Sequence, residues 1–168
     1  EEDELDWMHI NTIQWMGNGS VLLSSRETSS IIRVNDIYGT PTLGYMIAEK
    51  SFWTGTQYES LVFAKDGEFT IHGGQHSVAY VEDDSLPEGQ YYLYMFNNKY
   101  LVDENAGTFK LADSFEVPYS GYVSSAQDMG DNTVIDSGFQ GMFGEYDKDH
   151  RLIASYKMDM EKFIYRVY

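Results

Sequence analysis

Thr12-Ile13-Gln14-Trp15-Met16-Gly17-Asn18-Gly19-Ser20-Val21-Leu22-Leu23-Ser24-Ser25 sets two short runs of β-branched, aromatic and aliphatic residues on either side of a Gly-Asn-Gly turn. Runs this short, rich in strand formers and joined by a turn that tolerates left-handed backbone, predict an antiparallel hairpin. Residues 31–34 and 43–48 repeat the pattern, set off by polar punctuation at 27–30 and 35–41. Four strands therefore fall within roughly the first fifty residues.

The same cadence returns further along. Residues 77–81 and 91–96 open a second block, and 124–127, 133–137, 141–146 and 152–156 make a third. Asp66-Gly67, Asn97-Asn98, Asp131-Asn132 and Asp147-Lys148-Asp149 supply turn chemistry between runs. No stretch predicts a helix longer than about three turns. A four-strand unit repeating at about 40 to 55 residues is the signature of propeller blades rather than of a sandwich. The expectation is an all-β chain of β-propeller blades, each of four antiparallel strands. About three blades are present, at approximately 1–50, 51–115 and 116–168, with a final strand at 163–168. Three blades do not close a ring, since a propeller has about four to eight. The ring is then completed either by sequence outside this chain or by two or more chains.

Composition limits the function. The 168 residues are enough for one domain with a real core, and 42% hydrophobic with 15% aromatic content argues against disorder. Eleven basic residues against 27 acidic ones leave a net charge of −16, which opposes nucleic acid or an anionic membrane as the main partner. The most acidic stretch, 1–6, reads as a solvated end. There is no cysteine, so a disulfide scaffold, a cysteine-based zinc site and a thiol nucleophile are all excluded. No apolar run approaches the ~20 residues of a membrane-spanning helix. The chain starts at Glu1 without a basic-then-apolar leader, so for an exported protein the signal was removed or lies upstream.

Three segments interrupt strand-like runs with charge or imidazole: Asp6-Trp7-Met8-His9-Ile10-Asn11, Ser24-Ser25-Arg26-Glu27 and Gly73-Gly74-Gln75-His76-Ser77. A histidine on an apolar strand is more often a satisfied core residue than a catalyst. His76 stands apart because the preceding glycines clear side-chain bulk and let a substrate approach the backbone. His72, four residues earlier, competes with it. His150 falls in an Asp-Lys-Asp-His turn and is expected in solvent. Arg33 and Arg166 alternate with apolar residues and are expected to point outward or pair with carboxylates. The acidic turns 103–105 and 147–149 lack the ligand spacing and glycine of a calcium loop and read as hairpin tips. Gly73-Gly74 has neither the lysine nor the following helix of a phosphate-binding loop.

Together the three segments resemble the sulfuryl-transfer site of bacterial arylsulfate sulfotransferases, in which a His-x-Asn pair precedes a Ser-Ser-Arg turn and a Gln-His-Ser/Thr element follows. The similarity runs from Asp6 through Gly138, and Tyr165-Arg166-Val167 suits the family's carboxyl end. The resemblance implies a six-bladed propeller with its site in the central funnel, of which this chain would be roughly the C-terminal half. The rest would be N-terminal blades or a second chain, with a homodimer as one arrangement. A further histidine of that site, in a His-Gly-His-Asp-like segment, has no counterpart here. By resemblance His76 is the nucleophile, its Gln-His-Ser context selecting it over His72. Arg26 grips the sulfuryl oxygens, and His9 and Asn11 hold sulfate oxygens or protonate the leaving phenolate. A hydroxyl from the last blade falls at Ser124 or Ser125. The family's activity moves a sulfuryl group from an aryl sulfate to a phenolic acceptor, with no cofactor, metal or nucleotide sulfate donor, in the periplasm or outside the cell.

The chemistry fits those residue types. Sulfuryl transfer places negative charge on equatorial oxygens and on the departing phenolate. A neutral imidazole attacks sulfur and splits the transfer into two displacements, while a guanidinium fork holds the oxygens. Two readings compete with it. In one, a non-catalytic propeller binds sulfated or phenolic ligands or a protein partner. In the other, a hydrolase uses water where the transferase needs a phenol.

Overall fold

The computed structural model describes residues 6–167, and its thirteen strands fall into three sheets. The first sheet is a meander of β1 (Ile10–Trp15), β2 (Val21–Ser25), β3 (Ser30–Asn35) and β4 (Thr42–Ile47) in that order. Gly17 and Gly19, at φ 86° and 80°, turn the quoted hairpin, and Trp15 then faces Val21 across the ladder. The second sheet contains β5 (Ala64–Lys65), β6 (Ala79–Val81), β7 (Gln90–Met95), β8 (Asn98–Asp103) and β9 (Thr108–Ser114), ordered β5-β9-β8-β7-β6. The third is again a meander, of β10 (Ser125–Asp128), β11 (Asn132–Ser137), β12 (Met142–Asp147) and β13 (Leu152–Lys157). Within the sheets every strand pairing is antiparallel except the short β5–β9 contact, and an isolated parallel bridge joins Met46 to Val62. Among the described residues the one α-helix is the four-residue turn Lys50–Trp53.

Alternation along each strand sorts residues to opposite faces and stacks the sheets. Leu22, Ile31, Tyr45 and Ile47 of the first sheet meet Tyr91, Leu93, Tyr100, Val102 and Phe109 of the second in one core. The other face of β7, with Tyr92 and Tyr94, packs on Ala126, Ile135 and Tyr146 of the third sheet. The second sheet is thus covered on both sides, and each fully buried side chain such as Leu93 or Phe109 contributes about 2 kcal/mol relative to exposure. The far face of the first sheet, with Ile32 and Met46, is covered by Trp53, Tyr58, Leu61 and Val62. A polar tie crosses the first interface. Arg33 on β3 pairs with Glu104 at the β8–β9 turn, and the Tyr45 hydroxyl donates to the same carboxylate at 2.8 Å.

Two expectations change. The second sheet has a fifth strand, and Asn98, read as a turn residue, opens β8 because Phe96 takes the left-handed position of the turn at φ 51°. Residues 163–167 form no strand, and Tyr168 lies outside the described residues. That segment instead lies against the β11–β12 turn, held by Ile164 N–H donating to the Gly138 carbonyl at 3.1 Å.

Candidate functional site

Edge strands of the first two sheets, β1 and β6, lie side by side, joined by the Tyr80 N–H donating to Gln14 Oε1 at 3.2 Å. The candidate residues gather at one end of these strands. His9 precedes β1 with a left-handed backbone, φ 47°. Asp6 holds it twice, one oxygen accepting the His9 N–H at 2.9 Å and the other lying 2.6 Å from ring Nδ1. The β2–β3 turn is stitched to the same segment. Ser25 Oγ donates to the Met8 carbonyl at 2.6 Å, and the Arg26 N–H donates to the His9 carbonyl at 3.2 Å.

Residues 72–77 belong to no sheet, so side chains must satisfy and place them. Gln75 Nε2 donates among Ser24 Oγ, Ser25 O and Ser30 O at 3.1 to 3.2 Å, which anchors the loop on the first sheet. Asn11 Nδ2 donates to the Gln75 carbonyl at 2.7 Å, and the Gly74 N–H to Ser29 Oγ at 2.9 Å. These bonds deliver His76. One donor of Asn11 is thereby engaged in holding the loop rather than facing a ligand. The space beside the two glycines is open, with Ser29 Oγ at 3.9 Å the nearest atom to a Cβ built on Gly73. A Cβ on Gly74 would meet nothing within 4 Å, and what the position demands is its φ of 58°.

The His76 ring lies 6.0 Å from the His9 ring and 6.0 Å from Tyr165, centre to centre. Its residue is 6% exposed, and neither ring nitrogen has a hydrogen-bond partner among the described residues. Burial lowers its pKa, reinforced by the charges of Arg26, His9 and Arg166. The neutral imidazole is therefore the resident form. His72 is buried as well, and desolvation pulls it down to about 4 against an opposing effect of the Ser29 backbone. Its N–H donates to the Tyr100 hydroxyl at 3.0 Å. Arg26 pairs with Glu27 at the surface, its side chain 39% exposed, within electrostatic reach of His76.

His72, Gln75, His76 and Ser124 line one cavity of about 180 Å³. Ser125, already on β10, lines a neighbouring cleft with Ser77 and Arg166. Of the two serines, Ser124 is the one that shares a cavity with His76. Left-handed backbone concentrates here: His9, Ser29, Ser77, Phe96 and Val123 are five of the seven non-glycine residues with positive φ among those described. Such positions cost on the order of 1 kcal/mol each and persist where surrounding contacts impose them, often at functional sites.

The sequence reading names Asp6, Tyr165 and Arg166 without giving any of them a place in the site, and it expects Arg166 to point outward or pair with a carboxylate. The Asp6 spacing, three before His9, is a turn signal visible in the chain. Arg166 turns inward, donating to Ser77 Oγ at 3.2 Å and to Thr12 Oγ1 at 3.5 Å. His150 is not free in solvent either. It bonds Asp113 at 2.7 Å and stacks on Phe115 at 4.3 Å.

A family model described as Arylsulfotransferase (ASST) matches residues 1–101, a span that includes His9, Asn11, Arg26 and His76 and stops short of the third sheet. No curated protein matches the chain. A solved structure of a protein of unknown function from Bacteroides caccae is similar at 14% identity with a TM-score of 0.46, over 88% of this chain and 46% of that one. The chain thus spans less than half the length of that structure.

Proposed function

The chain belongs to the arylsulfotransferase family, and from that premise we propose that it moves a sulfuryl group from an aryl sulfate ester to a phenolic acceptor through a sulfo-histidine at His76. The observation that carries this reading is the His76 imidazole itself, buried, without a hydrogen-bond partner among the described residues and within electrostatic reach of Arg26 and Arg166. Attack on sulfur needs an unprotonated ring nitrogen, and this environment keeps one.

In the first step the His76 nitrogen lone pair forms a bond to sulfur as the bond from sulfur to the aryl oxygen breaks. His9 is the donor for the departing phenolate. Asp6 occupies its Nδ1, leaving Nε2 to deliver the proton. Arg26 supports the charge on the sulfuryl oxygens. In the second step the phenolic acceptor gives its proton to neutral His9, its oxygen bonds to sulfur, and the nitrogen–sulfur bond breaks. Asn11 keeps the His76 loop in place, and Ser124 is the hydroxyl within the cavity.

We further propose that the three sheets are blades spanning approximately 1–50, 51–115 and 116–168 of a six-bladed propeller. The remaining blades would come from N-terminal sequence of the protein or from a second chain, and the setting would be the periplasm or the cell exterior. The adjacency of β1 and β6 and the face-to-face stacking of the sheets support the blade reading. So do the apolar side chains left exposed on the outer sheets, among them Ile13 at 65% and Tyr156 at 53%. Release of para-nitrophenol from its sulfate ester, with and without added phenol, tests the function. Acceptor-dependent release that disappears in His76→Asn is expected, and transfer that survives the substitution would remove His76 as nucleophile.

A further inference from the structure

The segment after β13 returns to the site along a path built for it. Gly138 has room for no side chain, because a Cβ there would sit 1.9 Å from the Ile164 carbonyl oxygen and 1.9 Å from that of Val123. The returning segment and the loop leading to Ser124 therefore close directly on glycine backbone. One residue beyond Ile164, the Tyr165 ring stands 6.0 Å from His76. The next residue, Arg166, directs Nε and Nη2 at a single oxygen, Ser77 Oγ, at 3.3 and 3.2 Å. Nη2 also reaches Thr12 Oγ1 at 3.5 Å.

Those two acceptors are placed where they matter. Ser77 follows the proposed nucleophile directly and holds a left-handed backbone at φ 51°, a conformation that a serine does not keep without external contacts. Thr12 lies on β1 next to Asn11, whose amide holds the same loop from the other side. A planar guanidinium with its donors in a fixed fork can pin a hydroxyl in a way that a flexible ammonium cannot.

Resting on the sulfotransferase reading, we propose that Arg166 is a positioning residue for sulfuryl transfer. Supplied by the C-terminal segment, it locks Ser77 to β1 and thereby sets the His76 imidazole against His9. The groups around His76 are Arg26 from the β2–β3 turn, His9 with Asp6 behind it, His72 on its own loop, and Tyr165 with Arg166 from the C-terminal segment. Removing Arg166 subtracts one of the charges that oppose protonation of His76.

The test is a histidine-labelled NMR titration of His76 in the wild type, Arg166→Ala and Arg166→Lys, run beside turnover of para-nitrophenyl sulfate. In Arg166→Ala the His76 midpoint rises and kcat falls about tenfold, with KM changed less than about twofold. Arg166→Lys keeps the wild-type midpoint, because the charge remains, and recovers only part of kcat, because the fork is lost. Should Arg166→Ala fail to fold, Arg166→Gln, which bonds Ser77 without charge, is expected to raise the midpoint while preserving most of kcat. A midpoint that is the same with and without the arginine charge, or lysine performing no better than alanine, overturns the proposal. If the wild type transfers nothing, the sulfotransferase reading fails, while the titration still decides whether Arg166 governs His76.

Discussion

His76 and His72 are four residues apart on one loop, and both are buried imidazoles, yet their surroundings assign them different work. His76 faces positive charge and a neighbouring imidazole, whereas His72 is shut against Tyr100. The low pKa of His76 predicts that the acid limb of turnover lies below the ordinary imidazole range, since activity is lost only when its nitrogen is protonated. A pH–rate profile of kcat/KM checks this, and a limb above the ordinary range would assign the titration elsewhere. His76→Asn is expected to reduce transfer at least about a thousandfold while aryl sulfate binding changes little, because removing the proposed nucleophile removes both displacements. Equilibrium binding by calorimetry separates that outcome from simple loss of the site.

At the scale of elements, β11 has a group that the site does not use. Asp136 is fully buried with neither carboxylate oxygen bonded, and desolvation raises it to about 7. The protonated form is favoured in the fold, so the penalty is absent below the unfolded carboxylate range near 4 and grows as pH rises to about 7. His72, lowered to about 4, gives the opposite slope, destabilising as pH falls from the ordinary imidazole range. Between these limits the two slopes oppose each other, and stability is expected to vary little. Asp136→Asn unmasks the balance: its stability relative to wild type should improve by about 4 kcal/mol between pH 4 and pH 8. Urea melts at both pH values measure it, and a pH-independent difference would show that Asp136 is ionised in the fold.

The loop at 72–77 makes a separate case. Gly74→Ala is expected to cost about 1 kcal/mol, through its left-handed backbone rather than any clash, and to lower turnover by displacing His76. Thermal melts and steady-state kinetics on one preparation test both halves. This loop was legible in sequence as a glycine break before a histidine. That it has no strand partner, and is fastened instead by Gln75 and Asn11, was not. Those bonds join residues more than forty positions apart, and no local pattern encodes which hairpin will lie beneath.

For the whole molecule, net charge and the proposed substrate have the same sign. A net charge of −16 repels an aryl sulfate at long range, so on the proposed function capture would rest on local cations near His76 such as Arg26 and Arg166. Added salt screens the long-range repulsion more than close contacts. Raising ionic strength to about 0.15 M is therefore expected to leave kcat/KM unchanged or higher. A steep loss with salt would mean that capture depends on a long-range attraction this charge balance does not provide.

The sequence by itself determined the all-β class, the hairpins of the first and third sheets, and the segments that bear His9, Arg26 and His76, because strand periodicity and turn chemistry are local properties of the chain. Tertiary structure alone decided the fifth strand of the second sheet, the burial that keeps His76 neutral, the hydrogen bond of His150 to Asp113, and the inward course of Arg166. Each of these depends on which surfaces meet. The desolvation of an imidazole, or the oxygen a guanidinium reaches, is a sum over neighbours brought from distant parts of the chain, and alternation along a strand cannot name them.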